Sequence, residues 1–131
     1  MRTVHVAGPR ENARDAARRM VTEGVGTLVV LGGDRRPVGF LTDRDLMFHR
    51  IAEGRDPART PVKEIMATPV VTVPESLPIE DALVRMTETR VRRLAVVDPA
   101  GCLAGVLALD DVLELLCEEF GSIHRLLKGT G

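Results

Sequence analysis

Two short stretches carry side chains whose types and spacing could do chemistry: Gly39-Phe40-Leu41-Thr42-Asp43-Arg44-Asp45, and the adjacent pair Arg92-Arg93. Thr42 and Asp45 stand three apart ahead of an apolar run. That is the spacing of a capping box, in which a hydroxyl accepts from the backbone N–H three residues on. The same helix start suits an anion, because its first N–H groups are unsatisfied and carry partial positive charge. A hydroxyl there adds a donor, and the two oxygens of Asp45 can accept from the vicinal hydroxyls of a ribose. The guanidinium forks of Arg92 and Arg93 match phosphate oxygens; a solvated strand end accounts for them as well. Covalent catalysis has no such footing. His5, His49 and His124 fall in different elements, and no Ser-His-Asp set, phosphate loop or H-E-x-x-H motif is present. Cys102 and Cys117 lack both the C-x₂₋₄-C spacing and neighbouring His ligands, so they read as reduced thiols rather than a metal site.

These residues must be held by elements, and the elements come twice. Sliding the sequence by 66 residues lays 4–48 on 70–114 without a gap. Asp15/Asp81, Ala16/Ala82, Arg19/Arg85, Met20/Met86, Leu28/Leu94, Val30/Val96, Gly39/Gly105, Leu41/Leu107 and Asp45/Asp111 then coincide. The apolar pattern agrees even where identities do not, which marks an internal repeat. Each copy opens with a short extended piece (4–6 and 70–73). A helix follows, its apolar residues on one face: Ala13, Ala16, Ala17 and Met20, then Ile79, Ala82, Leu83 and Met86. Two apolar runs, 27–31 with 38–41 and 94–97 with 103–107, are separated by turn-rich residues and read as hairpins. A second helix starts near Asp43 and near Asp110. The polar stretch 52–61 is a connecting loop, and 62–66 is a short helical turn leading into the second copy.

One such unit leaves a sheet face uncovered, so two copies packed sheet to sheet, about a pseudo-twofold, are the expected α/β fold. The expected division is 1–60 for the first β-α-β-β-α repeat with its linker, 61–118 for the second, and 119–131 for a helical tail. The helix-like stretch 113–128 carries Leu115, Leu116, Phe120, Ile123, Leu126 and Leu127, with Gly121 as an interruption, and suits a packing or dimer contact. Of 131 residues, 44% are hydrophobic and the only aromatics are three Phe, so the core is aliphatic. A net charge of −1 without a basic block argues against nucleic-acid binding. No apolar run reaches the ~18 residues of a membrane span and no signal-peptide pattern opens the chain, so the expected location is cytoplasmic.

The ordered set VKEIM, VVTVPESLPIEDALVRMTETRVRRLAVVD and GVLALDDVL, matched by ARDAARRMVTEGVGTLVVL and GFLTDRDL in the first copy, resembles the cystathionine-β-synthase-type (CBS) domain. The resemblance covers residues 3–118. It implies a disc-shaped pair of units that binds an adenosine-containing ligand (AMP, ADP, ATP, NAD or S-adenosylmethionine) in clefts between the units, regulates a partner protein and dimerises. No enzyme activity and no metal site are expected, because the sequence holds no nucleophile-base pair and no metal-ligand constellation.

Carried over residue by residue, Gly39 to Asp45 match the family's ribose-phosphate pattern, Gly-apolar-apolar-Ser/Thr-x-x-Asp. The resemblance places Arg92 or Arg93 opposite Thr42 and Asp45, and lines the adenine side with Val70, Val71, Phe40 and Arg44. The second cleft, with Asp111, Asp110 and His5, has Ala108 in place of the threonine and Gly26-Thr27 in place of the arginines. The expectation is one competent nucleotide site and one weaker one. The competing expectation is a structural dimerisation module that binds no ligand.

Overall fold

The central strands of each copy are apolar on both faces, and this decides how the copies assemble. The computed structural model describes residues 4–129; the side chains of 122–124 and 127–129 lie outside the described residues, and with them Ile123, His124 and Leu127 of the expected tail. The elements are β1 (Val6–Ala7), α1 (Ala13–Glu23), β2 (Thr27–Leu31), β3 (Pro37–Thr42) and α2 (Asp43–Met47), then β4 (Thr72–Pro74), α3 (Ile79–Thr89), β5 (Arg93–Val97), β6 (Leu103–Ala108) and α4 (Leu109–Gly129). Each of the first five starts at the 66-residue offset from its counterpart in the second five, as Ala13 does from Ile79.

Each sheet has three strands, β1-β2-β3 and β4-β5-β6, with a parallel pair followed by an antiparallel hairpin. Successive strand residues point to opposite faces. Leu28, Val30 and Leu41 therefore meet Ala13, Ala16 and Met20 in one core. Leu94 and Val96 meet Ala82, Met86 and Val112 in a second. The residues between them, Val29 and Phe40 from one sheet and Ala95 and Leu103 from the other, form a third cluster where the sheets face each other. Both faces of each sheet are thus covered, which is why these strands read as unbroken apolar runs. Removing Leu28, Leu41 or Leu94 from water contributes about 1.5–3 kcal/mol each.

The segment that introduces the second copy in sequence belongs to the first in space. Val62 and Ile65 are buried in the first core. The N–H of Val62 donates to the carbonyl of Glu11 at 2.8 Å, and that of Ala13 donates to Thr60 at 2.8 Å. Ala67 pairs with Phe40 in both directions, at 2.8 and 3.2 Å. Gly39 makes room for this crossing, since a Cβ there would sit 2.7 Å from Met66 Sδ.

Two local features differ from the sequence expectation. Strands β1 and β4 start two residues later than 4 and 70, because Val4 and Val70 turn into the cluster between the sheets. Helix α4 runs through Gly121 without a break; a glycine within a helix costs about 1 kcal/mol but does not stop it. Among the described residues no helix is long and apolar enough to cross a membrane.

Candidate functional site

The hairpin geometry brings each strand start beside a helix start. Arg93 pairs with Ala108 across β5 and β6, and Thr27 pairs with Thr42 across β2 and β3. The N–H of Leu109 donates to the carbonyl of Arg92 at 2.8 Å, and that of Asp43 donates to Gly26 at 3.0 Å. Residues 92–93 are thereby fixed at the head of α4, and 26–27 at the head of α2. Where the two heads converge between the copies lies a cavity of about 340 Å³, lined by Thr42, Asp43, Arg44, Arg92, Arg93, Ala108, Leu109 and Asp110.

Its electrostatics are set by three exposed guanidinium groups. Among the described residues Arg44, Arg92 and Arg93 have no carboxylate within 4.0 Å. The carboxylates of Asp43 and Asp110 share the lining, so the arginines outnumber the acids. Thr42 and Asp45 form the capping box that their spacing suggests. Thr42 Oγ1 accepts from the Asp45 N–H at 3.1 Å, and Asp45 Oδ2 accepts from the Thr42 N–H at 2.9 Å. The cap uses an acceptor on each side chain. Among the described residues neither the hydroxyl proton of Thr42 nor the second carboxylate oxygen of Asp45 has another hydrogen-bond partner, and of the two residues only Thr42 lines the cavity.

A second cavity, about 410 Å³, adjoins the first. His5, Gly26, Thr27 and Val29 of the first copy face Val106, Asp110 and Asp111 of the second across it. It therefore gathers His5, Asp110 and Asp111, the three residues that the sequence assigns to the weaker cleft. Arg93, Ala108 and Asp110 border both cavities.

Of the residues assigned to the first cleft, the structure brings Thr42, Arg44, Arg92 and Arg93 onto one lining, with Asp45 tied to Thr42 through the cap. Phe40 and Val70 instead pack together in the cluster between the sheets, and Val71 packs against the second core. Sequence reasoning did not single out the shared position of Arg93, or Asp43 on the lining. The relative bulk of the two clefts was also missed, although comparing the copies holds part of that signal: Arg92 lines one where its counterpart Gly26 lines the other.

The pattern of the CBS domain family matches residues 1–51 and 62–118. The chain belongs to the CBS domain family. Among its relatives, the CBS domain-containing protein YhcV of Bacillus subtilis is 37% identical over 110 residues, covering 83% of this chain and 76% of its own. An uncharacterised protein of Methanopyrus kandleri, MK0525, is 32% identical over 114 residues; the match takes in 87% of this chain but only 58% of that relative. The CBS fold described above also superposes on the solved structure of CBSX2 in complex with AMP, with a TM-score of 0.70, 28% identity and 88% of each chain covered.

Proposed function

We propose that this CBS pair is a regulatory module that binds an adenosine nucleotide of the AMP, ADP or ATP class between its two copies and thereby modulates a partner protein. The observation that carries the reading is the convergence of Arg44, Arg92 and Arg93, none with an anionic partner among the described residues, on one inter-copy cavity beside the Thr42-Asp45 helix start. Phosphate oxygens would complete those guanidinium groups. Asp45 would hold the ribose through its uncommitted oxygen. The AMP bound to CBSX2, a structural relative, supports the ligand class.

The two clefts are unequal in opposite senses. The arginine-lined cavity has the better phosphate chemistry, and the one at His5 and Asp111 has the larger volume. The strong site is assigned to the former, because anion recognition rests on donors more than on space. We further read the module as a cytoplasmic homodimer without catalytic activity of its own. A ligand-free dimerisation module is the second reading, favoured by the engagement of both Thr42 and Asp45 in the cap.

Thermal denaturation with and without AMP, ADP, ATP, NAD and S-adenosylmethionine separates the two. A ligand present at about 100 times its dissociation constant adds roughly 2.7 kcal/mol of stability. A rise in Tm with an adenine nucleotide supports the sensor. No rise with any of the five supports the ligand-free module.

A further inference from the structure

The two copies also differ at the outer edges of their sheets, where β1 and β4 lie. In the first copy an ion pair closes this edge. Arg19 donates to the carbonyl of Val6 at 2.8 Å, and its guanidinium holds the carboxylate of Glu11 at 2.6 and 3.1 Å. The N–H of Gly8 donates to the same carboxylate at 3.1 Å. That carboxylate is thus gripped between α1 and the strand edge, its side chain only 16% exposed.

Shifted by 66 residues, the second copy keeps the cation and loses its occupant. Arg85 stands for Arg19, but Leu77 stands for Glu11, and Pro74, which has no N–H, stands for Gly8. Leu77 turns into the second core. The space is left as a pocket of about 300 Å³ between β4 and α3, into which Thr72, Asp81, Val84, Arg85 and Glu88 also face. The carbonyl of Thr72, the counterpart of Val6, has no hydrogen-bond partner among the described residues.

The charges around this pocket limit what can enter it. Asp81, Arg85 and Glu88 are exposed, and among the described residues none lies within 4.0 Å of an opposite charge. A carboxylate set on Arg85 would repeat the arrangement that Glu11 makes on Arg19. Asp81 and Glu88 stand about one turn to either side, so a ligand bringing only negative charge would meet repulsion. The same two carboxylates suit a cation, and the Thr72 carbonyl can accept from one. Val84, 52% exposed, offers an apolar wall with Leu77 and Pro74. An anion, a cation and an aliphatic group within one small pocket describe a free amino acid.

We propose that the pocket between β4 and α3 binds a free aliphatic amino acid, with its α-carboxylate on Arg85, its α-ammonium toward the flanking carboxylates and its side chain against Val84. The pocket shares no residue with either inter-copy cavity, so the site is separate from the nucleotide reading and does not rest on it.

Heteronuclear NMR of the full, nitrogen-15-labelled chain tests it by titration with L-leucine, L-isoleucine and L-valine. N-acetyl-L-leucine, which lacks the ammonium, and L-leucinamide, which lacks the carboxylate, are titrated beside them. The expected result is saturable movement of the backbone signals of Thr72, Leu77 and residues 84–88 with at least one of the three amino acids. Both derivatives are expected to bind roughly tenfold more weakly or worse, the effect of losing a charge-assisted contact, and so is leucine on Arg85→Gln. Arg85 is exposed, so the melting curve of that variant is expected to match the wild type. Arg93→Ala is expected to leave leucine binding unchanged. No movement with any of the three up to about 10 mM overturns the proposal, as does movement confined to other residues or full-strength binding to Arg85→Gln. A derivative that binds as tightly as leucine overturns the amino-acid assignment, and this comparison on the wild type decides the matter should Arg85→Gln fail to fold.

Discussion

Arg93 borders both inter-copy cavities, whereas Arg92 borders only the one beside Thr42. Substituting Arg93 with Ala is therefore expected to weaken nucleotide binding wherever the nucleotide sits, by about 10- to 100-fold, the worth of a charge-assisted contact of roughly 1.5–3 kcal/mol. Arg92→Ala is expected to weaken only the site at Thr42; calorimetric titration of both variants reads the difference. Arg90 illustrates a second effect at this scale. It ends α3 with φ of 57°, the left-handed conformation that Gly24 adopts at the end of α1 with φ of 67°. A non-glycine residue is strained there. Arg90→Gly is expected to raise stability by about 1 kcal/mol, measured as an upward shift in Tm. The capping pair Thr42 and Asp45 was legible in the sequence because its geometry is local. The packing of Val71 against the second core was not, because the side a residue faces at a strand's edge depends on where the strand starts, and β4 starts later than its apolar run.

At the level of elements, the internal repeat made most of the fold legible: helices with one apolar face, and hairpins whose strands are apolar throughout. What it could not reveal is which copy the segment at 60–67 covers, since a short helical turn with apolar Val62 and Ile65 suits either core. Backbone hydrogen bonds to Glu11 and Phe40 commit it to the first. Gly39 marks the crossing: Gly39→Ala would drive a methyl group against Met66 Sδ and the Ala67 carbonyl. It is expected to destabilise by about 1–3 kcal/mol in urea denaturation. Gly33→Ala, in the hairpin turn, meets nothing within 4 Å and serves as the mild comparison. Thr42→Ala removes the side-chain half of the cap on α2 and is expected to cost about 1 kcal/mol in the same measurement. A larger fall in nucleotide affinity than Ala at Arg92 produces would mean that the hydroxyl serves the ligand more than the helix.

Over the whole molecule, a nearly symmetric scaffold carries asymmetric surfaces. The arginine-lined cavity and the roomier cavity at His5 each arise where one repeat carries a residue that the other lacks. A nucleotide held between the copies can influence a partner only as far as it binds one arrangement of the pair better than another. The seat proposed for it, where α2 and α4 meet, is where such a preference could reach the outer helices. The most direct check is isothermal titration calorimetry of the intact chain with AMP, ADP and ATP, repeated on Asp45→Ala and Arg93→Ala variants with unchanged melting curves. The expected result is saturable binding of at least one of the three, with one strong site per chain that both variants weaken. Absence of binding by all three, or two sites of equal strength indifferent to Arg93, would contradict the account.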